Sequence, residues 1–135
     1  MPTERAFQYR PERENHTMAT VALTETTFDE VAQSDGIVLI DFWASWCGPC
    51  VRFAPVYEKV SAKHEDITFG KVDTEAEQGL AARFEVRSIP TIMAVRDGVI
   101  VYAEPGALPE DALEDIIRQV RDLDMDDVKK RLAEG

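Results

Sequence analysis

Residues 37–50 read IVLIDFWASWCGPC. Ile37–Trp43 is a continuous apolar run of strand length, broken only by Asp41. Such a run fits a central strand covered on both faces. Pro49 follows where a helix takes its first residues, because its ring fixes φ and its missing N–H has no partner there anyway. Cys47 and Cys50 thus stand at a strand-to-helix junction. A helix N-terminus offers unpaired N–H groups and about half a positive charge. A thiolate placed there is stabilised, which makes Cys47 the candidate nucleophile. Cys50, one turn on, can reach the Cys47 sulfur and is the candidate resolving thiol. Gly48 lets the backbone turn tightly beside the sulfur.

Competing readings of the pair are weaker. A zinc site needs four ligands, and His16 and His64 are the only other soft donors, neither at ligand spacing. No metal is therefore expected. A CxxC pair within a βαβ pattern is far more often redox-active than inert. Asp41 carries a charge into an apolar strand, and burial raises a carboxyl's pKa. Beside Cys47 and Cys50 it suits proton transfer at Cys50. Alone, it would read as a strand-end carboxylate reaching solvent.

Outward from this stretch the pattern alternates. Thr20–Leu23 fits a short edge strand. Thr27 and Glu30 have the spacing of a capping box, which predicts a helix to about Gln33. A helix is expected from Pro49 to about His64, a strand over 67–72 and a helical segment over 75–84. Thr91–Arg96 and Val99–Ala103 flank Asp97-Gly98, a strong hairpin signal. Pro109 opens a last domain helix, whose Leu113, Ile116, Ile117 and Val120 recur at helical spacing. The order β α β α β α β β α predicts an α/β fold, a mixed central sheet with helices on both faces. Residues 1–19 read as a flexible extension, with Met18 a second plausible start. The domain is expected over 20–123. Residues 124–135 are expected as a helical or disordered tail, with Asp124 as cap.

The 135 residues hold 15 Lys and Arg against 26 Asp and Glu, a net charge of −11. That balance repels phosphate backbones and anionic lipid, so neither nucleic acid nor membrane is an expected partner. Two cysteines three positions apart make no disulfide framework. With no apolar leader at the N-terminus, a cytoplasmic location is expected. Pro90, in Ile89-Pro90-Thr91, reads by default as a strand-entry residue, since cis bonds are the minority even before proline.

Asp41 to Cys50, Pro55, Lys71-Val-Asp73, Ser88-Ile-Pro-Thr91, Asp97-Gly98 and Pro105-Gly-Ala107 occur together, in one order. In these segments the chain resembles the thioredoxin family over roughly residues 20–123. The resemblance implies a thioredoxin fold with a five-stranded sheet and a general protein disulfide reductase. It matches Cys47 to the attacking cysteine, Cys50 to the resolving one, Asp41 to a buried acid and Lys71 to the lysine that tunes it. Pro90 matches a cis-proline facing the disulfide, supported with Gly48 and Pro49. Trp46, Ile89, Pro90, Gly106 and Ala107 match an apolar substrate platform, where the Ile89 backbone pairs with a client strand.

The resemblance further implies a monomer with no bound cofactor beyond a redox-active Cys47–Cys50 disulfide. Electrons would come from NADPH through a thioredoxin reductase, and disulfide-containing proteins would be the clients. Three residues depart from the usual pattern. Val51 stands where a basic residue is frequent, Ser45 where an acid is common, and Pro105 where an aliphatic residue is usual. Two other readings stand beside the reductase. One is an oxidase or isomerase of the same fold, and the other is a binding or assembly module without turnover.

Overall fold

The structure, a computed structural model, describes residues 19–135. The expected extension over residues 1–19 lies outside them but for Ala19. Among the described residues, five strands form one sheet: β1 (Thr20–Ala22), β2 (Ile37–Trp43), β3 (Thr68–Asp73), β4 (Thr91–Arg96) and β5 (Val99–Pro105). Five helices accompany them: α1 (Phe28–Ala32), α2 (Gly48–Ser61), α3 (Gln78–Arg83), α4 (Glu110–Arg121) and α5 (Met125–Glu134). The strand order is β1-β3-β2-β4-β5. The crossover connections make β1, β3 and β2 parallel, while β4 pairs antiparallel with β2 and with β5.

β2 lies in the centre, and six of its seven residues are buried. Alternation along the strand divides its side chains between two cores. Leu39 joins Phe53, Tyr57, Phe69, Leu113 and Ile117 beneath α2 and α4. Val38, Ile40 and Phe42 join Phe28, Leu80 and Met93 beneath α1 and α3. Asp41 shares the parity of Leu39, so it points toward α2. At the hairpin, Asp97 (φ 52°) and Gly98 (φ 82°) both take positive φ, as a two-residue turn requires.

Several boundaries differ from expectation for local reasons. The capping box at Thr27 does not form. Thr27 Oγ1 instead accepts from the Thr24 N–H at 3.0 Å, so the hydroxyl is occupied by the turn before α1. α3 starts at Gln78 rather than Glu75, because the Asp73 carboxylate accepts from the N–H groups of Glu75 and Ala76 and holds them in a turn. Pro109 is the N-cap of α4, one place before its first helical residue. The tail forms α5, where the Asp124 carboxylate accepts from the Asp127 N–H at 3.1 Å. Asp126 and Asp127 occupy its first turn and complement the helix dipole.

Candidate active site

β2 ends at Trp43, and Cys47 is the N-cap of α2 in extended conformation (φ −87°, ψ 111°). Its sulfur accepts from the Cys50 backbone N–H at 3.2 Å, satisfying one of the helix's orphan donors. Cys47 and Cys50 are joined as a disulfide, with their Cα atoms 5.2 Å apart. Cys47 is 4% exposed and Cys50 2%, so exposure does not separate them. Place does, since Cys47 caps the helix and Cys50 sits inside its first turn.

The other predicted residues gather around the pair. The Ile89–Pro90 bond is cis, and the Ile89 carbonyl oxygen lies 3.6 Å from Cys47 Sγ. Pro90 does stand directly before β4, as the strand-entry reading expects, and its bond is cis, as the resemblance implies. The N–H of Gly106 (φ 118°) donates to the Pro90 carbonyl at 2.8 Å, which ties the Gly106-Ala107 loop to the Pro90 loop. Trp46 is 69% exposed, an unusual cost for a large aromatic outside a contact surface. Ile89 packs against Cys47, Cys50 and Ala44.

Asp41 is buried, and neither carboxylate oxygen finds a hydrogen-bond partner among the described residues. Burial pushes its pKa up to about 7, against the opposing pull of the Lys71 ammonium. Lys71 is the register partner of Asp41 across β2 and β3, and its Nζ lies 4.9 Å from the centroid of a Trp43 ring.

Sequence reasoning missed Tyr57, which lies within the helix expected from Pro49 to about His64. It is fully buried, and its hydroxyl donates to the Gly70 carbonyl at 2.8 Å. Gly70 precedes Lys71, so Tyr57 anchors β3 beside the acid–lysine pair. Its own pKa is raised, first by burial and then by the charges of Asp41 and Glu58. The signal was present as a phenol among aliphatic helix positions. Among the described residues, no group of three or more His, Cys, Asp or Glu side chains could hold a metal ion. No described helix is long and apolar enough to cross a membrane.

A cysteine pair closing a disulfide across the first turn of a helix, beside a buried acid, defines a thiol–disulfide oxidoreductase. Comparison with known proteins narrows the class. The thioredoxin family model matches residues 19–119. A Streptomyces coelicolor protein assigned as thioredoxin 2 is 57% identical over 116 residues, covering 86% of this chain and 87% of its own. The thioredoxin of Bacillus subtilis is 38% identical over 103 residues, covering 76% and 98%. Among solved structures, a mutant thioredoxin from Halobacterium salinarum superposes with a TM-score of 0.70 at 35% identity, covering 77% of this chain and 91% of that one. The thioredoxin of Malassezia sympodialis gives 0.68 at 32% identity, covering 74% and 89%. The chain belongs to the thioredoxin family.

Proposed function

We propose that the protein reduces disulfides in client proteins and is re-reduced by a thioredoxin reductase drawing on NADPH. The Cys47 thiolate attacks one sulfur of a client disulfide, forming a mixed disulfide and releasing the other client sulfur as a thiolate, which takes up a proton. Cys50 then gives its proton to the Asp41 carboxylate, through water, and attacks Cys47 Sγ. The second client thiolate leaves. Two electrons have passed to the client, and the Cys47–Cys50 disulfide remains for the reductase. Lys71 tunes Asp41 for this transfer. Gly48, Pro49 and Pro90 shape the backbone around the sulfurs. Trp46, Ile89, Pro90, Gly106 and Ala107 form the platform for the client, whose chain pairs with the Ile89 backbone. The protein acts as a cytoplasmic monomer and needs no bound cofactor.

The observation carrying this reading is the Cys47 sulfur at the cap of α2, 3.2 Å from the Cys50 nitrogen and disulfide-bonded to Cys50. The test is the reduction potential of the Cys47–Cys50 couple against a defined dithiol buffer. A value near or below about −250 mV is expected of a general reductant. A value above about −200 mV would overturn the reading in favour of an oxidase or isomerase. A cellular phenotype that survives Cys47→Ser with Cys50→Ser would instead identify a binding module.

A further inference from the structure

Val51, the residue after Cys50, is 55% exposed and brings no charge to the site. The next residue does. Arg52 stands four places after Gly48 on α2, and side chains four apart share a helix face. Helical side chains also lean toward the helix N-terminus. Accordingly, the Arg52 guanidinium lies back over Gly48. A methyl group added to Gly48 would sit 3.2 Å from Arg52 Nη1 and 4.0 Å from Cζ. The guanidinium nitrogen is therefore within about 5 Å of the Gly48 Cα, the residue bonded to Cys47. The platform residues Trp46, Ile89, Pro90, Gly106 and Ala107 carry no formal charge. α2 itself has no acidic residue in its first turn.

We infer that Arg52 is an electrostatic positioning residue, whose guanidinium supplies from the second turn of α2 the positive charge that favours the Cys47 thiolate. This rests on the proposed role of Cys47 as nucleophile. The vacancy at Val51 is thus answered one position later, through a side chain that folds back toward the sulfur. Other ionisable groups stand on the elements around the pair. Cys50 lies on α2, Asp41 on β2 and Lys71 on β3. Asp73 ends β3, and Arg87 stands two residues before Ile89. Asp41 opposes a thiolate once it ionises, and Lys71 favours one, so the contribution of Arg52 must be read as a difference between variants. A unit charge about 8 Å from a thiol, acting through largely aqueous surroundings, moves its titration by about half a pH unit.

The test uses the full chain in reduced form. Thiolate absorbance at 240 nm is followed from pH 4 to 10, and iodoacetamide labelling with peptide mass analysis identifies the reacting cysteine. Arg52→Met keeps the apolar stem of the side chain and removes the charge. It is expected to raise the Cys47 pKa by about half a unit and slow labelling below that pKa about threefold. Arg52→Lys should restore most of the loss. In 1 M NaCl, where screening reaches about 3 Å, the gap between wild type and Arg52→Met should close. An unchanged pKa in Arg52→Met, or a shift that persists in 1 M NaCl, would overturn the inference. Label landing first on Cys50 in the wild type is a different failure, because it removes the nucleophile assignment itself.

Discussion

The two ends of β2 are built on opposite principles. At its start, nearly every polar group has a partner. Gly36 and Asp97 exchange hydrogen bonds, the Gly36 N–H donating to Asp97 Oδ1 and the Asp97 N–H to the Gly36 carbonyl, both at 2.8 Å. Arg96 Nη1 donates to the carbonyls of Val120, Arg121 and Leu123 and closes the junction of α4 with α5. Arg121 grips Asp66 with two nitrogens and also meets His64 Nδ1, whose Nε2 faces Glu114 at 2.6 Å. At the other end, Asp41 is buried without a hydrogen-bond partner among the described residues, and Trp46 stands in solvent. One end is satisfied and the other is held away from satisfaction. The contrast separates residues that stabilise the fold from those proposed above to serve the chemistry.

The strongest way to break the contrast is to relieve Asp41. Its carboxyl is raised to about 7 in the folded chain, against 3.8 for an ordinary aspartate. Below about pH 4 both folded and unfolded chains hold the proton, so the group costs nothing. Between those values the unfolded chain releases it first, and stability falls as pH rises; above 7 the penalty is complete. Asp41→Ala should therefore be more stable than wild type at pH 8 by up to about 4 kcal/mol, with little gain at pH 4. Urea unfolding at the two pH values measures this. The same variant should lose at least about tenfold in disulfide reduction rate.

The converse change lies at the satisfied end. Arg96→Met removes a charged donor from three helix-end carbonyls and should cost about 2 kcal/mol in the same unfolding experiment. Its disulfide reduction rate should equal that of wild type, since the residue is remote from the sulfurs along β4. A lowered rate would show that the two ends are coupled. The smallest effect belongs to Asp66. Its pairing with Arg121 holds its pKa down to about 2, so the contribution is present above about pH 4 and lost as pH falls toward 2. Asp66 is largely exposed, and Asp66→Asn should cost less than about 1 kcal/mol at pH 7, shrinking in high salt.

What could be read beforehand follows the same division. The apolar run of β2 predicted its span from Ile37 to Trp43 because burial on both faces favours apolar residues at nearly every position, Asp41 being the exception. Asp97-Gly98 predicted the hairpin because few residues take positive φ at both turn positions. The cysteines and Asp41 were legible because each breaks a local rule, whereas Pro90 read locally as an ordinary strand-entry residue and its cis bond was implied only by the family resemblance. Residues acting through tertiary geometry were not legible. Thr27 looked like a cap until Thr24 claimed its hydroxyl. Arg96 stood only as the last residue of an expected strand, and its three carbonyl partners lie at least 24 positions away. Tyr57 and Arg52 have the spacing of ordinary helix residues. Only the packing of α2 against the sheet, and the backward lean of its side chains, gives them neighbours that matter.

The disulfide closes within a single turn of α2, with its Cα atoms 5.2 Å apart. It therefore ties almost no chain and adds little by restricting the unfolded state. Folding and electron transfer nevertheless share one thermodynamic square. Its corners are the folded and unfolded chains, each with the sulfurs bonded or free. Whatever the fold adds to holding the electrons less tightly must appear as a difference in durability between the two forms. Every 30 mV or so by which folding makes the pair a better donor is returned as about 1.4 kcal/mol of greater stability in the disulfide form. A chain poised to give electrons away is, by that square, at its most fragile when fully charged.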